Sequence, residues 1–127
     1  MEARLKPAST LLVGEHALLR SFLRAWLTRF SFVHVVAETN NDRQTIEFVQ
    51  KHDPRLVLMD FDALRDASVE ILAKLRESYP KTKVIIYFAH SNDQFAIKLI
   101  RAGAAGFVVK SADSEGMENA IRTVLGG

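Results

Sequence analysis

The chain has no cysteine among its 127 residues. It therefore forms no disulfide, uses no thiolate nucleophile and has no cysteine-based zinc site. It also lacks an apolar run near the roughly 18 residues that a transmembrane helix needs, and residues 1–10 lack the apolar stretch of a secretory signal. These absences predict a cytoplasmic protein with no membrane partner.

Excess charge is also scarce, since the formal net charge is only +2. A charge this small does not by itself indicate a nucleic-acid partner. The sequence has no internal repeat, low-complexity tract or linker. A length of 127 residues with 48% hydrophobic positions fits one globular domain, which we expect to span residues 1–127.

Short apolar segments alternate with segments of helical periodicity along the whole chain. The predicted strands are residues 9–14, 33–38, 56–60, 83–88 and 106–109. Each is followed by a predicted helix, and the first helix carries an apolar stripe of Leu19, Phe22, Leu23, Trp26, Leu27 and Phe30. Strict alternation predicts an α/β fold in which helices cover both faces of a doubly wound, five-stranded parallel sheet.

The apolar run of residues 56–60 ends abruptly in Asp60. Its length and composition suit a central strand buried on both faces. The carboxyl ends of parallel strands form the edge where ligands bind in open α/β sheets. We therefore expect Asp60 to meet Gly14, Glu15, Phe88 and Lys110 there.

Together these residues resemble a response-regulator receiver domain. The specific part is the block Gly-Ala-Ala-Gly-Phe-Val-Val-Lys of residues 103–110. Ser111 after the lysine and the closing segment 120–127 are similar to receivers of the NarL/LuxR type. The resemblance implies a flavodoxin-like (βα)5 receiver fold and a role in two-component phosphorelay signalling that regulates transcription.

The resemblance also implies a role for each site residue. Asp60 corresponds to the aspartate that accepts a phosphoryl group from a sensor histidine kinase, and Lys110 to the cation that binds that group. Mg²⁺ would be held by Glu15, by Asp60 and by the backbone carbonyl of Asp62. Phosphoryl transfer depends on this neutralisation of charge.

Two positions depart from the family pattern. Gly14 stands where the family has the first acid of its metal-binding pair, so we expect Mg²⁺ to bind weakly. Phe88 stands where the family has a threonine or serine whose hydroxyl contacts the phosphoryl group and allows an aromatic residue, here Phe107, to turn inward. These departures predict an atypical, non-enzymatic receiver that acts as a docking module and homodimer without a conventional phosphoryl switch.

Other interpretations stay open on the sequence alone. Asp60 could be a conventional phosphoryl acceptor, or Asp60-Phe61-Asp62 could belong to a phosphohydrolase of the haloacid dehalogenase type. That motif ends the first strand in such enzymes, whereas here it ends the third. Arg20 and Arg24 are expected on a solvated helix face. We expect no specific DNA binding by this domain alone, although NarL/LuxR-type receivers usually precede a DNA-binding domain.

The predicted meeting of Asp60 and Lys110 can be tested by a double-mutant cycle. Lys110→Ala should lower the free energy of unfolding by about 1 to 3 kcal/mol, because it leaves a carboxylate without its counter-charge in a shielded site. Changing Asp60 and Lys110 together should cost less than the sum of the single changes. Denaturant unfolding of the parent and three variants measures the coupling, and strict additivity would contradict the pairing.

Overall fold

The computed structural model describes residues 7–14, 16–40, 42–60, 66–88, 93–109 and 114–126. In these ranges strands and helices alternate without exception. The strands are β1 (Ala8–Val13), β2 (Val33–Thr39), β3 (Leu56–Asp60), β4 (Lys83–Phe88) and β5 (Gly106–Val109). The helices are α1 (Ala17–Leu27), α2 (Asp42–His52), α3 (Asp66–Ser78), α4 (Asp93–Ala102) and α5 (Ser114–Gly126).

The strands form one parallel sheet in the order β2-β1-β3-β4-β5. The chain therefore winds outward from the centre in both directions, which confirms the predicted doubly wound fold. All five residues of β3 are buried, as a central strand covered on both faces requires. None of the helices in the described ranges has the length and apolar character to cross a membrane.

Each face of the sheet is covered by its own hydrophobic cluster. The first cluster includes Val57, Met59 and Ile86 with apolar residues of α2, α3 and α4. The second cluster includes Leu58 and Ile85 with apolar residues of α1 and α5. Successive side chains of a strand point to opposite faces, so neighbours in β3 and β4 belong to different clusters.

The predicted bounds of β3, β4 and β5 are confirmed, whereas the first helix differs from its prediction. It ends at Leu27, and Phe30 lies beyond it, with its ring 4.7 Å from that of Trp26. Phe22 was predicted on the buried stripe, but it is 66% exposed. Leu23 and Leu27 fill the contact with the sheet, and Phe22 lies outside the arc that they define.

Helix α4 ends in a turn that only a glycine accepts easily. Gly103 has a φ of +126°, and its N–H donates to the carbonyls of Leu99 and Ile100. A Cβ at this position would lie 3.3 Å from side-chain atoms of Arg76 on α3. Arg76 in turn donates a hydrogen bond of 2.6 Å to the carbonyl of Arg101, so the turn also joins α3 to α4.

Gly103→Ala should lower the free energy of unfolding by about 1 to 3 kcal/mol, because the backbone conformation is strained for any L side chain. Urea unfolding measures the change. Gly126→Ala is the matched control, since a Cβ at Gly126 meets no atom within 4 Å among the described residues. Equal stability of the two variants would show that the turn relaxes without cost.

Candidate functional site

Gly14, Asp60 and Tyr87 form one row across three adjacent strands at the carboxyl edge of the sheet. Asp60 is paired with Tyr87 between β3 and β4, and Gly14 follows Val13, which is paired with Met59. The N–H of Gly14 donates to the carbonyl of Thr39 over 3.0 Å, which continues the contact of β1 with β2 by one residue. The structure thus places Gly14 directly beside Asp60.

The three residues of this row are close enough to share one small space. A Cβ built on Gly14 would lie 3.4 Å from the Asp60 Cβ, 3.5 Å from the Tyr87 hydroxyl oxygen and 3.7 Å from Asp60 Oδ2. Asp60 has no exposed surface and Tyr87 is 3% exposed. The position where the family pattern has a carboxylate is therefore lined by a buried carboxylate and a buried phenol.

Burial and the neighbouring charge of Asp60 both raise the pKa of Tyr87 above its ordinary value of 10.0. The phenol therefore stays protonated at neutral pH, as an uncharged hydroxyl at the edge of the site. The positive charge of Arg20 acts in the opposite direction and is the weaker influence.

Arg20 reaches the site from α1 and is tied to it by two hydrogen bonds. Its Nη1 donates to the carbonyl of Gly14, and its Nε donates to Glu38 Oε1 over 3.1 Å. Arg24 Nε donates to the other oxygen of Glu38 over 2.5 Å. Burial alone would raise the pKa of Glu38, but the hydrogen bonds and charges of Arg24 and Arg20 outweigh it and lower that pKa.

The expectation of a solvated face is therefore wrong for Arg20, whereas Arg24 is exposed as expected. The side chain of Arg20 is only 16% exposed, whereas that of Arg24 is 44% exposed. Both arginines are committed to Glu38 at the end of β2. The helical period places residues 20 and 24 on one face, but the sequence does not show that this face meets a strand end that carries an acid.

The other predicted site residues are only partly within the described ranges. Three predicted site residues, Glu15, Asp62 and Lys110, lie outside the described residues, so their roles stay predictions.

Phe88 ends β4, where its backbone is paired with Val109, and its side chain is also outside the described part. Phe107 is paired with Ile86 and packs against the first cluster, on the face of the sheet opposite to Leu58 and Ile85.

The described residues supply only part of the predicted Mg²⁺ site, because Glu15 and Asp62 lie outside them. In the row they supply one carboxylate, that of Asp60, beside a glycine and a phenol. No group of three or more histidine or acidic side chains that could hold a metal occurs in the described ranges. Mg²⁺ prefers a set of oxygen ligands that usually includes one or two carboxylates and several waters. A guanidinium hydrogen-bonded to the carbonyl of Gly14 adds positive charge where a cation would need the opposite.

The family model described as response regulator receiver domain matches residues 10–122. The chain is 32% identical over 117 residues to the response regulator GacA of Pseudomonas aeruginosa, covering 92% of the chain and 55% of that protein. It is 29% identical over 123 residues to the Fimbriae Z protein of Salmonella typhimurium, covering 97% of the chain and 59% of that protein. The chain thus spans somewhat more than half the length of these curated relatives.

Solved structures show the same likeness. The chain matches a two-component response regulator of the LuxR family from Aurantimonas with a TM-score of 0.88 and 28% identity, covering 95% of this chain and 86% of that one. The receiver domain of the NarL response regulator from Mycobacterium tuberculosis matches with a TM-score of 0.88 at 22% identity, over 97% and 99% of the two chains. At that identity the second match supports the fold alone.

The buried phenol can be tested by titration with base. Tyr79→Phe leaves Tyr87 as the only tyrosine of a chain that has two, so phenolate absorbance then reports Tyr87 alone. We predict that this absorbance stays low in the folded protein well above pH 10.0, the ordinary value. Appearance of phenolate near that pH, with the fold intact by circular dichroism, would contradict the prediction.

The same shift affects stability in a defined direction. The folded state holds the Tyr87 proton more tightly than the unfolded chain does. The contribution of this proton to the free energy of unfolding is therefore complete below pH 10.0 and is lost as the pH rises toward the folded-state pKa. The loss amounts to about 1.4 kcal/mol per pH unit above the unfolded pKa. Tyr87→Phe should show a shallower fall in stability over that interval than the parent.

Proposed function

The chain belongs to the response regulator receiver domain family and is a receiver of the NarL/LuxR type in two-component signalling; from this premise we propose that its signalling state does not depend on stable phosphorylation of Asp60. The observation that carries the proposal is the row of Gly14, Asp60 and Tyr87. A phosphoryl-accepting carboxylate needs a bound cation to neutralise the charge that develops on the phosphoryl group. Neither of the residues beside Asp60 in this row, Gly14 and Tyr87, carries a second carboxylate.

Three features of the described site support this proposal. The side chain of Gly14 supplies no ligand to a metal, and Asp60 is buried. Arg20 places a positive charge beside the carbonyl of Gly14. Mg²⁺ binding is then weak, because Glu15 and the Asp62 carbonyl would have to hold the ion with Asp60 as the one described carboxylate.

The output of such a receiver is a docking surface instead of a chemical switch. Receiver domains of response regulators interact with sensor kinases, and their role is mainly in signalling and not in catalysis. For this chain we propose a sensor kinase as one partner, a second copy of the domain as another, and no enzymatic activity of its own. We also propose that residues 1–127 by themselves bind no specific DNA sequence.

A conventional receiver that is phosphorylated at Asp60 is the second candidate. It is favoured by one observation, that Asp60 ends the central strand at the edge where the family carries its acceptor. A small phosphohydrolase is the less favoured candidate, because Asp60 ends the third strand of this sheet, whereas the dehalogenase motif ends a first strand.

Incubation with acetyl phosphate and Mg²⁺, followed by intact-mass analysis, separates the proposal from the conventional candidate. We predict that most molecules keep their mass, because the donor meets a buried acceptor without its full set of metal ligands. Asp60→Asn is the matched control for modification at any other residue. A receiver known to react with acetyl phosphate, treated in parallel, shows that the reagent is active.

A parent protein that becomes one phosphoryl group heavier in most molecules, with no change in Asp60→Asn, would establish the conventional candidate instead. Release of inorganic phosphate in many turnovers would favour the phosphohydrolase. Unchanged mass of both proteins beside a modified reference receiver supports the proposal.

A further inference from the structure

We propose that Tyr87 and Arg20 close the cation site of this receiver, so that restoring the missing carboxylate at Gly14 does not restore metal binding unless Tyr87 is also removed. This inference rests on the proposed function and explains how the same site is kept independent of Mg²⁺. It assigns a role to two residues that lie outside the motif residues of the site.

The first step of the argument is the position of the Tyr87 hydroxyl. It lies 3.5 Å from the point where residue 14 would carry its Cβ, and Asp60 Oδ2 lies 3.7 Å from that point. A carboxylate attached to this Cβ would therefore lie next to the phenol of Tyr87 and the carboxylate of Asp60. The phenol oxygen would then lie against the new carboxylate, in the space that a cation and its coordinating oxygens need.

The second step is that packing holds the side chain of Tyr87 in this position. Its ring belongs to the second cluster with Leu58 and Ile85, and only 3% of the residue is exposed. Its backbone is paired with Asp60 on one side and Val108 on the other. A side chain held by packing and by two strand neighbours keeps its hydroxyl at the site.

The third step concerns charge. The guanidinium of Arg20 is anchored at two points, the Gly14 carbonyl and Glu38, and its side chain is 16% exposed. It is therefore a fixed positive charge at Gly14, which Glu38 offsets in part while Arg24 adds a second positive charge to the same acid. A divalent cation approaching this position is repelled more strongly than it would be in water, because the surroundings are shielded from solvent.

The experiment uses Mn²⁺ as the probe and measures the free ion by electron paramagnetic resonance. Four proteins are compared: the parent, Gly14→Asp, Tyr87→Leu, and the double variant. We expect the first three to bind Mn²⁺ weakly and the double variant to bind at least about tenfold more tightly than Gly14→Asp alone. Gly14→Asp combined with Tyr79→Leu is the matched control, because Tyr79 packs against the first cluster on the opposite face.

Arg20 is tested in the double-variant background. Arg20→Gln should tighten Mn²⁺ binding further, whereas Arg24→Gln should not, because Arg24 shares Glu38 as a partner and Arg20 alone of the two donates to the Gly14 carbonyl. Equal effects of the two changes would assign the result to the loss of general positive charge and overturn the role given to Arg20.

Tyr87→Leu removes a buried ring, so Tyr87→Phe is included as a variant that keeps the packing and deletes only the hydroxyl oxygen. Gly14→Asp with Tyr87→Phe should also bind Mn²⁺ more tightly than Gly14→Asp alone. If Gly14→Asp alone binds as tightly as either combination, or if neither combination gains affinity, the inference is overturned. Phosphorylation of the parent by acetyl phosphate would instead overturn the proposed function, and that result is read without any variant at Tyr87.

Discussion

Asp60 is a carboxylic acid with no exposed surface, and the structure around it is arranged to accommodate that burial. It is placed there by β3, whose apolar residues are covered on both faces and whose last residue reaches the edge of the sheet. Burying a carboxylate is costly unless polar or charged groups compensate it. Polar groups of the protein itself, a phenol among them, line the described site.

The residues around Asp60 are therefore connected through space and not only along the chain. Gly14 leaves space beside Asp60, and Tyr87 brings a hydroxyl oxygen to the same point from β4. Arg20 adds a charge that Glu38 holds in position, and Arg24 shares that acid. Each of these residues would be unremarkable alone. Their proximity gives the surroundings of Asp60 a balance of charge and volume that none of them sets alone.

The sequence was sufficient to predict the fold, because periodicity and turn residues act locally and the apolar runs of β3, β4 and β5 are unambiguous. It also located Gly14 and Asp60 at one edge, since parallel strands bring their carboxyl ends together. Tyr87 and Arg20 were missed because their importance depends on neighbours that are distant in sequence. The alternation of side chains along β4 could have placed Tyr87 on the correct face. Tyr87 is two residues beyond Ile85, so both side chains lie on the same face of the sheet.

The sheet separates the candidate site from Phe107, with a consequence for how a change at one could affect the other. Phe107 packs with the first cluster, while Tyr87 packs with the second, although their strands are neighbours. Side chains on opposite faces of a sheet cannot push on one another directly, so a mechanical link between them has to run through the main chain. Such a link would pass through the backbone hydrogen bonds between β4 and β5. If these strands move little, a side-chain rearrangement on one face of the sheet leaves the other face unchanged.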